Sequence, residues 1–109
     1  MLNLLSNTKE NFQRNTSIIR RNMLHMIFYG KTGTGHIGSS LSIADIIFYL
    51  CKNVIFSKKK KKNHFVLSKG HAAPILYSML FSCGFLTKKD LHNFRTFNSR
   101  LQGHPDKTK

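Results

Sequence analysis

Three Gly-His pairs contain the side chains of this sequence that are best suited to chemistry. All three fall in segments without helical periodicity, and they are Gly35-His36, Gly70-His71 and Gly103-His104. An imidazole exchanges protons near neutral pH, and an adjacent glycine lets the backbone approach a ligand closely. A lone loop histidine is usually a surface residue, but three such pairs in one short chain favour a shared site.

A metal centre has little support in the sequence. The three histidines are far apart along the chain, and no cysteine, aspartate or glutamate with ligand spacing accompanies them. His25, His64 and His92 lack glycine neighbours and are interpreted as structural or surface residues. We therefore predict no metal ligand in this chain.

The second pair lies in a predicted strand–turn–helix unit. Residues 65–67 (Phe-Val-Leu) are typical of a short strand buried on both faces, and Pro74 suits the first turn of a helix. The turn between them would lie beyond the carboxyl end of the strand and face the free N–H groups of the helix, where open α/β sheets bind anions. Lys69 and His71 are therefore candidates for holding an anionic group.

A long helix and a glycine-rich loop are predicted before this unit. Asn7 and Glu10 suit the start of a helix from about residue 9 to about residue 29, with Gly30 at its end. The loop would cover residues 30–40. Its glycine spacing imitates a nucleotide-binding loop, but a helix rather than a strand precedes it, so a dinucleotide site is not expected.

A second helix is expected between this loop and the strand. Ser42 and Asp45 have capping-box spacing at its start. Its predicted apolar face consists of Ile43, Ile46, Ile47, Leu50, Cys51 and Val54. Cys51 is accordingly interpreted as a core residue.

Two further helices are expected after the strand. The buried side of the first consists of Ile75, Leu76, Met79 and Leu80. Gly84 can end this helix, and Thr87 with Asp90 can cap the next, whose Leu91 and Phe94 would face inward. The last stretch, residues 98–106, has no periodicity and is predicted to be a loop.

The chain is strongly basic. Its 109 residues include 18 Lys and Arg but only 4 Asp and Glu, which gives a formal net charge of +14. Such a charge favours binding to nucleic acid, to an anionic membrane surface or to phosphorylated metabolites, and the charge alone does not distinguish these partners. Lys58 to Lys62 form a run between predicted elements, and we interpret it as a solvated surface rather than a nucleic-acid patch.

Cysteine usage and hydropathy favour a cytoplasmic protein without a membrane partner. Cys51 and Cys83 show neither Cys-x-x-Cys nor disulfide-rich spacing, which favours a reducing compartment. No apolar run approaches the roughly 20 residues needed to span a bilayer. The apolar residues at the start of the chain are too few and unflanked for a signal peptide.

The predicted elements describe an incomplete sheet. Only one convincing strand is present, and its backbone donors and acceptors need partner strands on both sides. We therefore expect the fold to be the first part of a larger α/β domain with a parallel sheet, mostly helical over these residues.

The three Gly-His segments, residues 35–42, 65–73 and 99–106, resemble in order and spacing the N-terminal region of transketolases. The resemblance extends over nearly all of the chain from about residue 10. It implies that residues 1–109 are a partial transketolase N-terminal domain, the α/β domain that binds the diphosphate of thiamine diphosphate. Deoxyxylulose-phosphate synthases share this layout but fit less well around residues 71–74.

The resemblance also implies a role for each site residue. His36 corresponds to a substrate-contacting histidine and His104 to one close to the reacting carbons, so both would be catalytic. His71 corresponds to the histidine near the cofactor diphosphate, and Lys69 and Gly70 belong to the same cofactor-binding turn. The reaction would be transfer of a two-carbon ketol unit from a ketose phosphate to an aldose phosphate, with thiamine diphosphate carrying the difficult step.

Two departures from the family pattern accompany the resemblance. Ile37 replaces the proline usual in the first motif, and the chain stops at Lys109, before the residues that bind magnesium in this family and before its cofactor-activating glutamate. A diphosphate without its magnesium ligands should bind poorly. We therefore expect this polypeptide to be inactive alone, with a complementary transketolase polypeptide and dimer formation completing the site.

Two functions of other classes remain open at this point. A basic nucleic-acid-binding module would explain the charge and the lysine run, but the interleaved aromatics of common nucleic-acid folds are missing, so nucleic acid is the less expected partner. A non-catalytic interaction subunit would keep the dimer surface without the reaction.

Overall fold

The computed structural model describes residues 2–55 and 63–106. In chain order these contain α1 (Lys9–Tyr29), α2 (Ile37–Ser42), α3 (Ala44–Leu50), a π-helical turn (Cys51–Ile55), a 3-10 turn (Gly70–Ala72), α4 (Ala73–Ser82) and α5 (Lys88–His92). The lysine run at 58–62 lies outside the described residues, so its role stays a prediction. No helix in the described ranges is long and apolar enough to cross a membrane.

Helix α1 confirms the longest predicted helix, with one correction at its start. The N-cap is Thr8, whose side-chain oxygen accepts a hydrogen bond from the Asn11 N–H at 3.1 Å, and not the predicted Asn7. Thr8 offers the same kind of capping oxygen, three residues before a helical N–H that needs one. Gly30 is the C-cap, as predicted.

The glycine-rich segment contains a helix, α2, where the sequence predicted only a loop. Ser42 is the last residue of α2, and its hydroxyl donates to a carbonyl of the same turn at 2.9 Å. Because Ser42 is used in this way, α3 begins after Ile43 without a side-chain cap, and the predicted Ser42–Asp45 capping box is wrong. Asp45 instead forms an ion pair with Arg20 at 2.6 Å.

The predicted apolar face of α3 is only partly correct. Ile47 and Cys51 are buried as predicted, whereas Ile46 and Val54 are 58% and 40% exposed. Phe48, which is fully buried, lies in the core instead. The helix changes to a π-helical turn at Cys51, so its core-facing residues do not follow one 3.6-residue period.

The predicted start and end of α4 and the predicted start of α5 are confirmed, whereas α5 ends at His92, before the Phe94 that was predicted to lie on its inner face. Pro74 lies in the first turn of α4. Gly84, at φ 87°, follows the end of this helix, and the amides of Gly84 and Phe85 donate back to carbonyls of its last turn at 3.0 and 2.9 Å. Thr87 and Asp90 form the capping box that begins α5.

The predicted strand at residues 65–67 is not formed. These residues have no regular secondary structure, and no strand occurs within the described parts of the chain. Val66 is 82% exposed, so the expected burial on both faces is wrong. A strand needs a paired neighbour, and the described residues supply none, so the helical part of the predicted α/β fold is present while its parallel sheet is unconfirmed.

The core lies between α1 and α4, with α3 and α5 packed against them. Its largest fully buried side chains include Ile19, Met23, Phe48, Ile75, Met79 and Phe94. The buried Ser78 hydroxyl donates to the Ile19 carbonyl at 2.6 Å, which ties α4 to α1 and satisfies a polar group inside the core. The three Gly-His segments emerge at the edge of this core: before α2, before α4 and after α5.

Candidate functional site

The three Gly-His segments meet on one face of the molecule. The ring of His71 lies between the other two, with its centroid 4.4 Å from that of His36 and 4.8 Å from that of His104. Both ring pairs meet edge to face, at interplanar angles of 77° and 67°. We call these three residues the histidine cluster. All three are exposed, so the cluster is an open surface rather than an enclosed pocket.

The 3-10 turn before α4 presents His71 to its neighbours. The Gly70 N–H donates to the Ser68 carbonyl at 3.0 Å, and the Ala72 N–H donates to the Lys69 carbonyl at 2.9 Å. Ala72 is fully buried and anchors the turn on the core. A tight polar turn leading into a helix is what the sequence predicted here, although no strand precedes it.

Glycine at position 70 is required by the packing of His104. A Cβ at Gly70 would lie 2.6 Å from Nδ1 and 3.0 Å from Cγ of the His104 ring. The imidazole therefore packs directly against the glycine backbone. This contact sets the distance between the second and third Gly-His segments.

Gly35 has a similar function for the first segment. A Cβ at Gly35 would lie 2.9 Å from Cγ1 of Ile27 and 3.3 Å from Cε1 of Phe94, two buried core residues. The backbone that carries His36 consequently rests on the core without an intervening side chain.

The loop that carries His104 is held by hydrogen bonds from α4 and from within the loop. The Tyr77 hydroxyl donates to the Gln102 carbonyl at 2.7 Å, and Gln102 Nε2 donates to the Ser99 carbonyl at 2.7 Å. Burial, helped by the negative charge of Asp106, raises the pKa of Tyr77 to about 12, so the hydroxyl stays a neutral donor at physiological pH. Leu101, also buried, completes the attachment.

Lys69 adds a positive charge beside the cluster. Its ammonium donates to the Ser42 hydroxyl at 2.8 Å, across the gap between the 3-10 turn and the end of α2. Two of the acidic side chains are engaged elsewhere, since Asp45 pairs with Arg20 and Asp90 with Arg100. The imidazoles and this ammonium make a donor set that suits an anionic ligand.

The described residues do not offer a metal centre. No group of three or more His, Cys, Asp or Glu side chains in residues 2–55 and 63–106 could hold a metal ion. Imidazole and ammonium nitrogens are also the wrong donors for magnesium, which prefers oxygen ligands.

The other histidines and the cavities lie apart from the cluster. His25, His64 and His92 are exposed, and the ring of His25 packs on Tyr29 with centroids 4.6 Å apart. Cavities of about 410, 550 and 430 Å³ are lined by residues other than His36, His71 and His104. The histidine cluster therefore lies outside these three cavities.

Two tertiary hydrogen bonds near the cluster were not predicted from the sequence. One is the hydrogen bond from Tyr77 to Gln102, and the other runs from Arg95 Nη1 to Thr34 Oγ1 at 3.3 Å. No capping, glycine or periodic pattern marks these residues, because each acts through a tertiary contact.

Comparison with known proteins identifies the family of this chain. Residues 13–109 match the family model described as transketolase, thiamine diphosphate binding domain. Transketolase of Homo sapiens is 42% identical over 78 residues, which is 67% of this chain and 12% of that protein. Transketolase of Scheffersomyces stipitis is 38% identical over 101 residues, or 88% of this chain and 15% of that protein. Transketolase-like protein 2 of Bos taurus is 39% identical over 79 residues, or 68% of this chain and 13% of that protein.

The chain therefore spans well under a fifth of the length of these relatives. The family match nevertheless covers most of the chain and includes all three Gly-His segments. On that match, and on its identity with several transketolases, this chain belongs to the transketolase family.

Proposed function

We propose that this chain supplies the N-terminal part of a transketolase active site, which transfers a two-carbon ketol unit from a ketose phosphate to an aldose phosphate. One observation carries the proposal: three Gly-His segments from separate parts of the sequence converge, and the His71 ring centroid lies less than 5 Å from those of His36 and His104. The three segments are far apart in the sequence, so the convergence of their histidines supports a shared site.

Thiamine diphosphate fits the donor set around the second segment. The Lys69 ammonium and the His71 imidazole can donate to anionic oxygens, and Gly70 brings the backbone close to them. We assign these three residues to binding of the diphosphate. When bound, this cofactor supplies the carbon nucleophile and electron sink that ketol transfer requires.

His36 and His104 would then contact the sugar phosphate. They flank His71 on either side, and each imidazole is exposed and able to donate to or accept from a sugar hydroxyl. A well-placed general acid or base contributes roughly 10²- to 10⁴-fold to a rate. We assign to these two histidines the binding of hydroxyl groups and the movement of protons to and from them.

A further polypeptide region would complete the site. The histidine cluster is open, and magnesium would need oxygen ligands that the described residues do not group together. From the family we also propose magnesium binding, dimer formation and a cytoplasmic location. The prediction that the chain is inactive alone belongs with them.

Reconstitution tests this function. The full 109-residue chain is combined with a second polypeptide that carries the rest of a transketolase, and consumption of a ketose phosphate is followed in the presence of an aldose phosphate, thiamine diphosphate and magnesium. We expect activity only when both polypeptides are present. His36→Ala and His104→Ala should each lower that activity by roughly 100-fold or more.

His25→Ala and His92→Ala are the matched controls, because both histidines are exposed and lie outside the cluster. They should leave the rate within about twofold, as expected for surface substitutions. No gain over the second polypeptide alone would overturn the proposal. Tight binding of the two polypeptides without ketol transfer would instead favour the non-catalytic interaction subunit.

A further inference from the structure

One side chain, that of Arg95, connects the backbone segments that carry His36 and His104. Its Nη1 donates to Thr34 Oγ1 at 3.3 Å, two residues before His36. Its Nε lies 3.5 Å from the point that a Cβ on Gly103 would occupy, one residue before His104. The guanidinium is therefore hydrogen-bonded just before the first Gly-His segment and lies beside the backbone of the third.

The backbone of Arg95 is in a conformation that usually requires glycine. Its φ is 64°, and the Thr96 N–H donates to the Asn93 carbonyl at 3.0 Å, which closes a tight turn with Arg95 at its third position. Glycine and asparagine tolerate this position, whereas a long side chain is strained there. Asn98 is the other non-glycine residue with positive φ in the described parts of the chain, and asparagine is one of the tolerated types.

The strained turn is fixed by the loop that carries His104. The Arg95 N–H donates to the Leu101 carbonyl at 2.8 Å, and Leu101 is buried. Both the backbone and the side chain of Arg95 thus contact the segment that leads to His104. Strain of this kind persists where the surrounding structure holds the residue in place, and it is common at functional sites.

We propose that Arg95 is a positioning residue that fixes the separation of the His36 and His104 segments and thereby holds both rings against His71. On one side, Arg95 lies between Thr34 and Gly103. On the other side, the His71 ring lies between the rings of His36 and His104, so the two sets of interactions connect the same pair of segments. The consequence for ketol transfer rests on the proposed function, whereas the effect on ring geometry does not.

Ring-proton contacts in the full 109-residue chain test this inference without any cofactor. Rings with centroids 4.4 and 4.8 Å apart should give nuclear Overhauser cross-peaks between His36 and His71 and between His71 and His104. In Arg95→Gly the turn keeps a residue that tolerates positive φ, so the melting temperature should be unchanged or higher. We expect the His36–His71 cross-peak to weaken at least twofold all the same. If Arg95 contributed only to stability, the melting temperature and the His36–His71 cross-peak would fall together.

Thr34→Val is the second variant, because it removes the acceptor of the Arg95 guanidinium and leaves the strained turn intact. Thr34 is exposed, so the fold should survive, and the same cross-peak should weaken in this variant. Arg14→Gln, on the exposed side of α1, controls for loss of one positive charge and should leave both cross-peaks unchanged.

Wild-type cross-peak intensities in Thr34→Val, or the absence of both cross-peaks from the wild-type chain, would overturn the inference. So would wild-type intensities in a folded Arg95→Gly. Loss of the ring contacts in these variants, together with failure of reconstituted ketol transfer by the wild type, would leave the inference standing and remove the proposed function instead.

Discussion

At the residue scale, the segments that carry the histidine cluster include glycines at which a side chain would collide with a neighbouring side chain. A Cβ at Gly70 would lie 2.6 Å from the His104 ring, and one at Gly35 would lie 2.9 Å from Ile27. Neither glycine has a positive φ, which would be another reason for glycine at these positions. The requirement at both positions is therefore space, and that space determines where the imidazoles lie.

Gly70→Ala should displace His104. The added methyl group overlaps the ring, and overpacking of this kind costs roughly 1–3 kcal/mol unless the ring moves away. We expect the His71–His104 cross-peak to be lost, with a free energy of unfolding, measured by urea titration, that falls by up to that amount. Gly38→Ala is the matched control, because nothing lies within 4 Å of its Cβ position.

Helix propensity favours alanine over glycine in α2 by up to about 1 kcal/mol, so Gly38→Ala should be neutral or stabilising. Equal effects of the two substitutions on stability and on the ring contact would contradict the packing argument for Gly70.

Ser40 is a fully buried residue of α2 whose hydroxyl has no hydrogen-bond partner among residues 2–55 and 63–106. Ser40→Ala should leave the free energy of unfolding unchanged or raise it by up to about 1 kcal/mol, because the cost of burying an unpaired hydroxyl is removed. Ser78→Ala is the control, since the Ser78 hydroxyl donates to the Ile19 carbonyl. That variant should lose roughly 0.5–1.5 kcal/mol, the net contribution of one hydrogen bond. A loss of the same size in Ser40→Ala would show that its hydroxyl is satisfied after all.

At the scale of elements, the sequence predicts a helix well where its caps are local. Thr87 and Asp90 bond each other and the helix start, and Gly84 ends α4 with two hydrogen bonds to its last turn. The partners of such caps lie within a few residues, so the pattern is visible in the sequence. The Ser42–Asp45 pattern has the same spacing and failed, because Ser42 already belongs to α2.

The capping box of α5 should make stability depend on pH. Hydrogen bonds from Thr87, first from its backbone N–H, hold the pKa of Asp90 below its usual value. A lowered folded-state pKa contributes stability above the unfolded-state pKa, near 4, and this contribution is lost as pH falls through the folded-state value. Asp90→Asn should therefore destabilise the chain by about 0.5–1 kcal/mol at pH 7, with the difference shrinking as pH falls through the folded-state pKa of Asp90.

Urea unfolding at several pH values measures this difference. Asp45→Asn is the control, because the Asp45 carboxylate is 56% exposed in its pair with Arg20. An exposed pair contributes at most about 1 kcal/mol and often much less, so this variant should change little. A penalty for Asp90→Asn that is as large at pH 2 as at pH 7 would contradict the role of the carboxylate.

Elements that depend on distant partners were not predictable from local patterns. Residues 65–67 have the composition of a strand, yet a strand forms only beside another strand, and the described residues contain none. The exposed Ile46 and the buried Phe48 likewise reflect how α3 packs against α1 and α4, which no single-helix period specifies.

At the scale of the whole molecule, the family resemblance grouped the three Gly-His segments in advance, and the structure places their rings in contact. The contacts that create this arrangement were not visible in the sequence. Tyr77 reaches Gln102 and Arg95 reaches Thr34 across 25 and 61 positions of the chain. Their roles emerge only when the loops are seen packed on one core.

Cofactor titration tests whether the histidine cluster forms part of a thiamine diphosphate site. The chain is reconstituted with the rest of a transketolase, and thiamine diphosphate is titrated in the presence of magnesium. Loss of a hydrogen bond to a charged group costs about 1.5–3 kcal/mol, so His71→Asn should raise the dissociation constant roughly 10- to 100-fold. His92→Asn, at an exposed histidine outside the cluster, should stay within about twofold of wild type. Equal dissociation constants for wild type and His71→Asn would contradict the claim.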